Sequence, residues 1–148
     1  MEITKNVQTL EELISILDDG RVGYTNAAEN CENAIIKTEF LSTARERALM
    51  IVQLQDEINS LGKSTDATDG PLGAIHRAWI DIKSLLTGHD TNAIIEACET
   101  GEEYAIEKYK SALENDFLSH SSRALIKSQL AMIERALIKI KSFKIINV

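Results

Sequence analysis

The sequence predicts an all-α protein: four long helices in a bundle, with one long crossover that carries a fifth, short helix. Three observations predict it. Apolar residues recur at helical spacing in four stretches of roughly 23–28 residues. No run alternates apolar and polar residues for long enough to make a sheet. One Pro, seven Gly and 5% aromatic residues leave little turn chemistry for a sandwich or barrel. At 148 residues the chain is expected to be a single domain, residues 1–148, burying about 68–70% of its unfolded surface.

The first helix is expected to open at Thr9, which makes a capping box with Glu12 after a short lead-in. Its apolar stripe is Leu10, Leu13, Ile14, Leu17, Tyr24, Ala28 and Cys31. Gly20 and Gly23 each weaken it by about 1 kcal/mol relative to Ala. Small residues there would let a neighbouring helix approach. Arg21 falls on the apolar side. The helix is expected to end near Asn30–Asn33.

The second helix is placed at about Ala34–Leu61, stopped by Gly62. Its stripe is Ile36, Phe40, Ala44, Ala48, Ile51, Leu54 and Ile58, and Arg47 and Gln55 fall within it. Residues 62–70 read as a polar loop. Pro71 starts the short connector helix, as Pro does at a first helical position. Leu72, Ile75, Trp79, Ile82 and Leu86 give it one apolar side. Gly88 ends it.

Asp90 or Thr91 caps the third bundle helix, which runs to about Asn115–Asp116. Ile94, Cys98, Gly101, Ala105, Tyr109 and Ala112 make its stripe, flanked by Ile95 and Leu113. The last helix runs from about His120–Ser122 to Phe143. Ile126, Leu130, Ile133, Leu137 and Ile140 make its core side, and Gln129 also points inward.

Short joins make antiparallel hairpins of the first and second helices and of the third and last. The long connector can run back along a helix of about 36 Å, so the third helix starts where the second started. That is the ferritin-like up-down arrangement. A weak echo relates the two hairpins: Tyr24 to Asn30 resembles Tyr109 to Asn115 at four of seven positions.

The net charge of −7 is unevenly spread. Residues 123–148 hold Arg123, Lys127, Arg135, Lys139, Lys141 and Lys144 against Glu134 alone. Such a segment suits a membrane or nucleic acid. In so acidic a chain it is instead expected to dock on its own bundle, so neither partner is predicted. Two cysteines, Cys31 and Cys98, form no metal-binding spacing. The N-terminal residues have no signal-peptide pattern and no apolar run spans a membrane, so a cytoplasmic location is expected.

The main chemical question is Glu102, which falls inside the apolar stripe between Ile95 and Ile106. A carboxylate facing a core is costly unless it is paired or binds a metal. A di-metal site needs a Glu from each of two helices and a Glu-x-x-His from each of the others. The three histidines follow Gly73, Leu86 and Phe117 at that spacing, so the motif is absent. Glu102 with Glu29 or Glu32 would offer too few oxygens for a transition metal. No metal site, catalytic residue or cofactor is therefore predicted.

The alternative is a buried polar cluster. Measured from one bundle end, Arg21 lies about 15 Å down, Glu102 about 16 Å, Arg47 about 19 Å and Gln129 about 21 Å. Glu102 is expected to meet Arg47 or Arg21, with Gln129 satisfying leftover groups. The competing reading puts Glu102 solvated at the rim. His76, His89 and His120 read as surface or cap residues, and Tyr24 and Tyr109 as packing.

Three runs together are similar to a known group: Gly20 to Glu29, Gly73 to Gly88 with its His76-Arg77-Ala78-Trp79 segment, and Glu96 to Glu103. They resemble uncharacterised bacterial proteins of the ferritin-like superfamily. The resemblance implies the four-helix fold and a superfamily whose members often bind two iron or manganese ions; it implies no activity. Relatives often carry an acidic residue and a His in the last helix, where this chain has Met132 and Leu137.

The functional expectation is a non-enzymatic bundle with a salt-bridge cluster in place of a di-metal site, in a stress-related or protein-binding role. A degenerate metal-binding bundle is the alternative. Apolar residues of the tail Lys141–Val148 suggest a homodimer, with an unidentified protein as the other partner.

Overall fold

In the computed structural model, residues 2–64 and 90–146 are described, with side chains through Lys144. They form four helices: α1 (Glu2–Glu29), α2 (Ala34–Ser60), α3 (Thr91–Leu113) and α4 (His120–Ile146). The expected connector helix, with His76, Trp79 and His89, lies outside the described residues.

Local chemistry sets most of the ends. Asn33 caps α2 by accepting from the backbone N–H groups of Ile35 and Ile36, and Asp90 caps α3 through Asn92 and Ala93. Gly62, at φ 79°, turns the chain away from α2 in a conformation that suits Gly. Arg123 donates to the carbonyls of Leu113 (2.7 Å) and Asn115 (2.6 Å), where α3 leaves acceptors unmet.

The expected start of α1 needs correction. Thr9 is not a cap; it lies mid-helix and its hydroxyl donates back to the Lys5 carbonyl at 3.1 Å. The added turns are held by Asn6, buried against the start of α4. Its Nδ2 donates to Ser122 Oγ at 3.0 Å, and its Oδ1 accepts from the Ser119 N–H at 2.6 Å. Glu57, near the end of α2, accepts from the Ser121 and Ser122 hydroxyls in the same knot.

These contacts fix the topology. The start of α1, the end of α2 and the start of α4 share one end of the bundle. At the other end, Lys144 of α4 reaches Glu99 of α3 at 3.1 Å and Lys139 of α4 reaches Glu39 of α2 at 3.0 Å. Part of the basic last segment thus docks on the bundle's own acids. Helix α1 borders α2 and α3, and α4 borders α3 and α2. The pairs α2/α3 and α1/α4 are therefore diagonal. Helix α3 begins at the end where α2 began, as a single long crossover requires.

One core runs between all four helices. Every residue of the expected α1 and α3 stripes is buried, except Leu113, which is partly so. Ala48 and Leu137 are only partly buried, whereas Ile16, Met50 and Phe143, outside the expected stripes, are buried. Phe143 stacks edge-on to Phe40 (6.3 Å between centroids), and Phe40 meets Tyr24 (5.8 Å). Phe143 therefore belongs to the core and not to a free apolar tail.

Candidate functional site: a buried ion pair at the bundle waist

Helical periodicity carries Arg47 and Glu102 inward from the diagonal helices α2 and α3, so their side chains meet across the bundle axis. Arg47 Nη1 donates to Glu102 Oε1 at 2.7 Å and Nη2 donates to Oε2 at 2.5 Å. Both side chains are 1% exposed, which excludes the rim reading of Glu102. This is the two-pronged geometry in which a guanidinium fits a carboxylate best.

Helix α1 closes the pair from the side. The Arg47 guanidinium carbon lies 5.6 Å from the centre of the Tyr24 ring, a cation–π distance. Gly20 lies beside the same head group: a Cβ there would stand 3.8 Å from Arg47 Nη1. Helix α4 contributes Gln129, whose Oε1 accepts from the Tyr109 hydroxyl at 2.8 Å and whose Nε2 donates to Met50 O and Gln53 Oε1, each at 3.0 Å. Arg47 Nε is buried with no hydrogen-bond partner among the described residues.

Of the four residues expected in the cluster, Arg47, Glu102 and Gln129 are buried at the waist. Gln129, however, serves Tyr109 and α2 and makes no hydrogen bond to Glu102. Arg21 does not belong to the cluster. It is 41% exposed and donates through Nε and Nη2 to Asp18 on the previous turn. A surface carboxylate three residues away holds it without the cost of desolvating a second arginine. Glu29 and Glu32 are exposed, so neither joins Glu102. The two tyrosines were missed as polar members of this layer. The available signal was that a buried Tyr needs a partner for its hydroxyl; Tyr109 lies on the same side of α3 as Glu102, two turns further on.

Burial and the charges of the pair shift Arg47, Tyr24, Tyr109 and Cys98. Burial pushes the Arg47 guanidinium down, but the charge and hydrogen bonds of Glu102 more than reverse this, so its net shift is up. Burial first, then the Glu102 charge, holds the Tyr24 hydroxyl well above 10. Tyr109 is raised by burial, with Arg47 opposing and Glu102 adding. Burial, then Glu102, pushes the Cys98 thiol well above 9. A general acid or base works best with a pKa near the working pH. These shifts move Tyr24, Tyr109 and Cys98 away from it.

The fold invites a test for a di-metal centre, and the donor set does not fit one. Both oxygens of Glu102 are engaged by Arg47. Among the described residues no three His, Cys, Asp or Glu side chains come together.

The sequence matches the domain of unknown function DUF2383 over residues 5–115. The chain belongs to this family. No curated protein matches the sequence. Among solved structures, the fold is similar to a mutant of Dps1 from Mycobacterium smegmatis, with a TM-score of 0.73 and 14% identity over 96% of each chain. At that identity the likeness concerns the fold alone, an all-α four-helix bundle with the ferritin-like arrangement. No helix among the described residues is long and apolar enough to cross a membrane.

Proposed function

We propose that this chain is a non-enzymatic, single-domain cytoplasmic bundle whose waist is closed by its own cation, and that it acts by binding another protein through its surface. One observation carries the reading: the Arg47–Glu102 pair is two-pronged, fully buried and lies across the bundle axis. A carboxylate so engaged is a poor metal ligand, because a metal would have to displace the guanidinium and leave it buried without a counter-charge. The surrounding hydroxyls and thiol of Tyr24, Tyr109 and Cys98 are held protonated, which leaves none of the three as a base or nucleophile at neutral pH. With the interior closed, function falls to the surface.

Elemental analysis of protein purified without chelators and then incubated with ferrous or manganous ion tests the proposal. The expected result is far less than one metal per chain, and no iron oxidation beyond the buffer rate. Near-stoichiometric metal lost on Glu102→Gln substitution would overturn it.

A further inference from the structure

The seam between α2 and α4 is open. A groove of about 190 Å³ lies along it, lined on the α2 side by Glu39, Ser42 and Glu46 and on the α4 side by Met132, Arg135 and Lys139. Acids therefore stand on one wall and bases on the other. Glu39 and Lys139 bridge the groove at one point, at 3.0 Å. Glu46 and Arg135 face it from opposite walls and have no ion-pair partner among the described residues. Along α2, Ile35 and Leu49 each lie seven residues from Ser42, hence on the same side of the helix. They are 65% and 67% exposed, among the most exposed large apolar side chains of the described residues.

We infer that this face binds a second copy of the chain. The argument is charge complementarity under symmetry. A two-fold axis parallel to the helices would lay each acidic α2 against the basic α4 of the other copy at the same height. Glu39 and Glu46 of one subunit then meet Lys139 and Arg135 of the other, twice over. An axis perpendicular to the helices within the interface plane would put acids against acids, so the charges select one arrangement. Ile35 and Leu49 supply apolar area and the charges supply orientation. The inference rests on the reading above only in that a closed interior leaves the surface to act.

Sedimentation velocity across the micromolar range tests it, at low and at high salt. The wild-type chain is expected to dimerise, and more weakly as salt rises. Arg135→Glu or Glu46→Arg alone is expected to weaken the dimer at least tenfold, and the two together to restore it. Unchanged helical circular dichroism would show that these surface variants still fold. A monomer at every concentration overturns the inference, whether the face serves an unrelated protein or none. So does a dimer that neither single substitution weakens. Either result leaves the metal analysis untouched, so the two readings fail separately.

Discussion

Arg47 and Glu102 each cost free energy to bury and each makes the other tolerable. Removing one partner is therefore worse than removing both. Glu102→Ala is expected to cost about 3 kcal/mol by leaving the Arg47 charge buried alone. Arg47→Met with Glu102→Leu is expected to recover most of that loss, because apolar side chains of similar size can fill the site. Urea melts of the variants measure both, and a loss below about 0.5 kcal/mol for Glu102→Ala would show that the pair is not the constraint argued here. The pair was legible in the sequence because a carboxylate and a guanidinium fell inside two apolar stripes at nearly one height. Arg21 met the same two criteria and still went elsewhere. Periodicity gives a direction and a level, but not which of two arginines has a nearer carboxylate, and Asp18 was nearer.

At the scale of helices, caps and stops were the readable part. Asp90 at the start of α3 and Gly62 at the end of α2 act through local chemistry that a sequence displays, whereas Asn33, read only as the end of the first helix, is the cap of α2. The start of α1 was not readable, because what extends it past Thr9 is Asn6 bonding to residues more than a hundred positions away. Gly20 shows the same limit. A small residue there was expected to let a neighbouring helix approach, yet a Cβ would make only an ordinary 3.8 Å contact with Arg47. Gly20→Ala is thus expected to stabilise the protein by about 1 kcal/mol, the helix-propensity difference. Thermal melts check it, and a lowered midpoint would mean that the site is tighter than its contacts indicate. The hairpin echo has a local counterpart: Asn30 and Asn115 each donate a side-chain N–H to a carbonyl near the end of the preceding helix, at 2.8 and 3.1 Å.

At the scale of the whole molecule, the buried hydroxyls and thiol set the response to alkali. In the unfolded chain Cys98 loses its proton near 9 and Tyr24 and Tyr109 lose theirs near 10, whereas the fold holds all three protonated beyond those values. The folded state then binds more protons than the unfolded one. Their stabilising contribution is full below about pH 9 and is lost as pH rises, at about 1.4 kcal/mol per pH unit for each group once its unfolded counterpart is ionised. Denaturant midpoints measured from pH 7 to 11 are expected to be level at first and to fall increasingly steeply above pH 9–10. Midpoints that stay level to pH 11 would mean that these groups ionise freely in the fold. The overall topology was readable from helix lengths and one long join, whereas which helices stand diagonally was not, since that depends on how the two hairpins face each other.

The knot at the foot of the bundle bears on how the chain is assembled during synthesis. Asn6 leaves the ribosome early, and its two partners follow 113 and 116 residues later. The leading hairpin must therefore wait, with its first turn untied, until the trailing one has emerged. The first turns of α1 are thus among the last to be fastened.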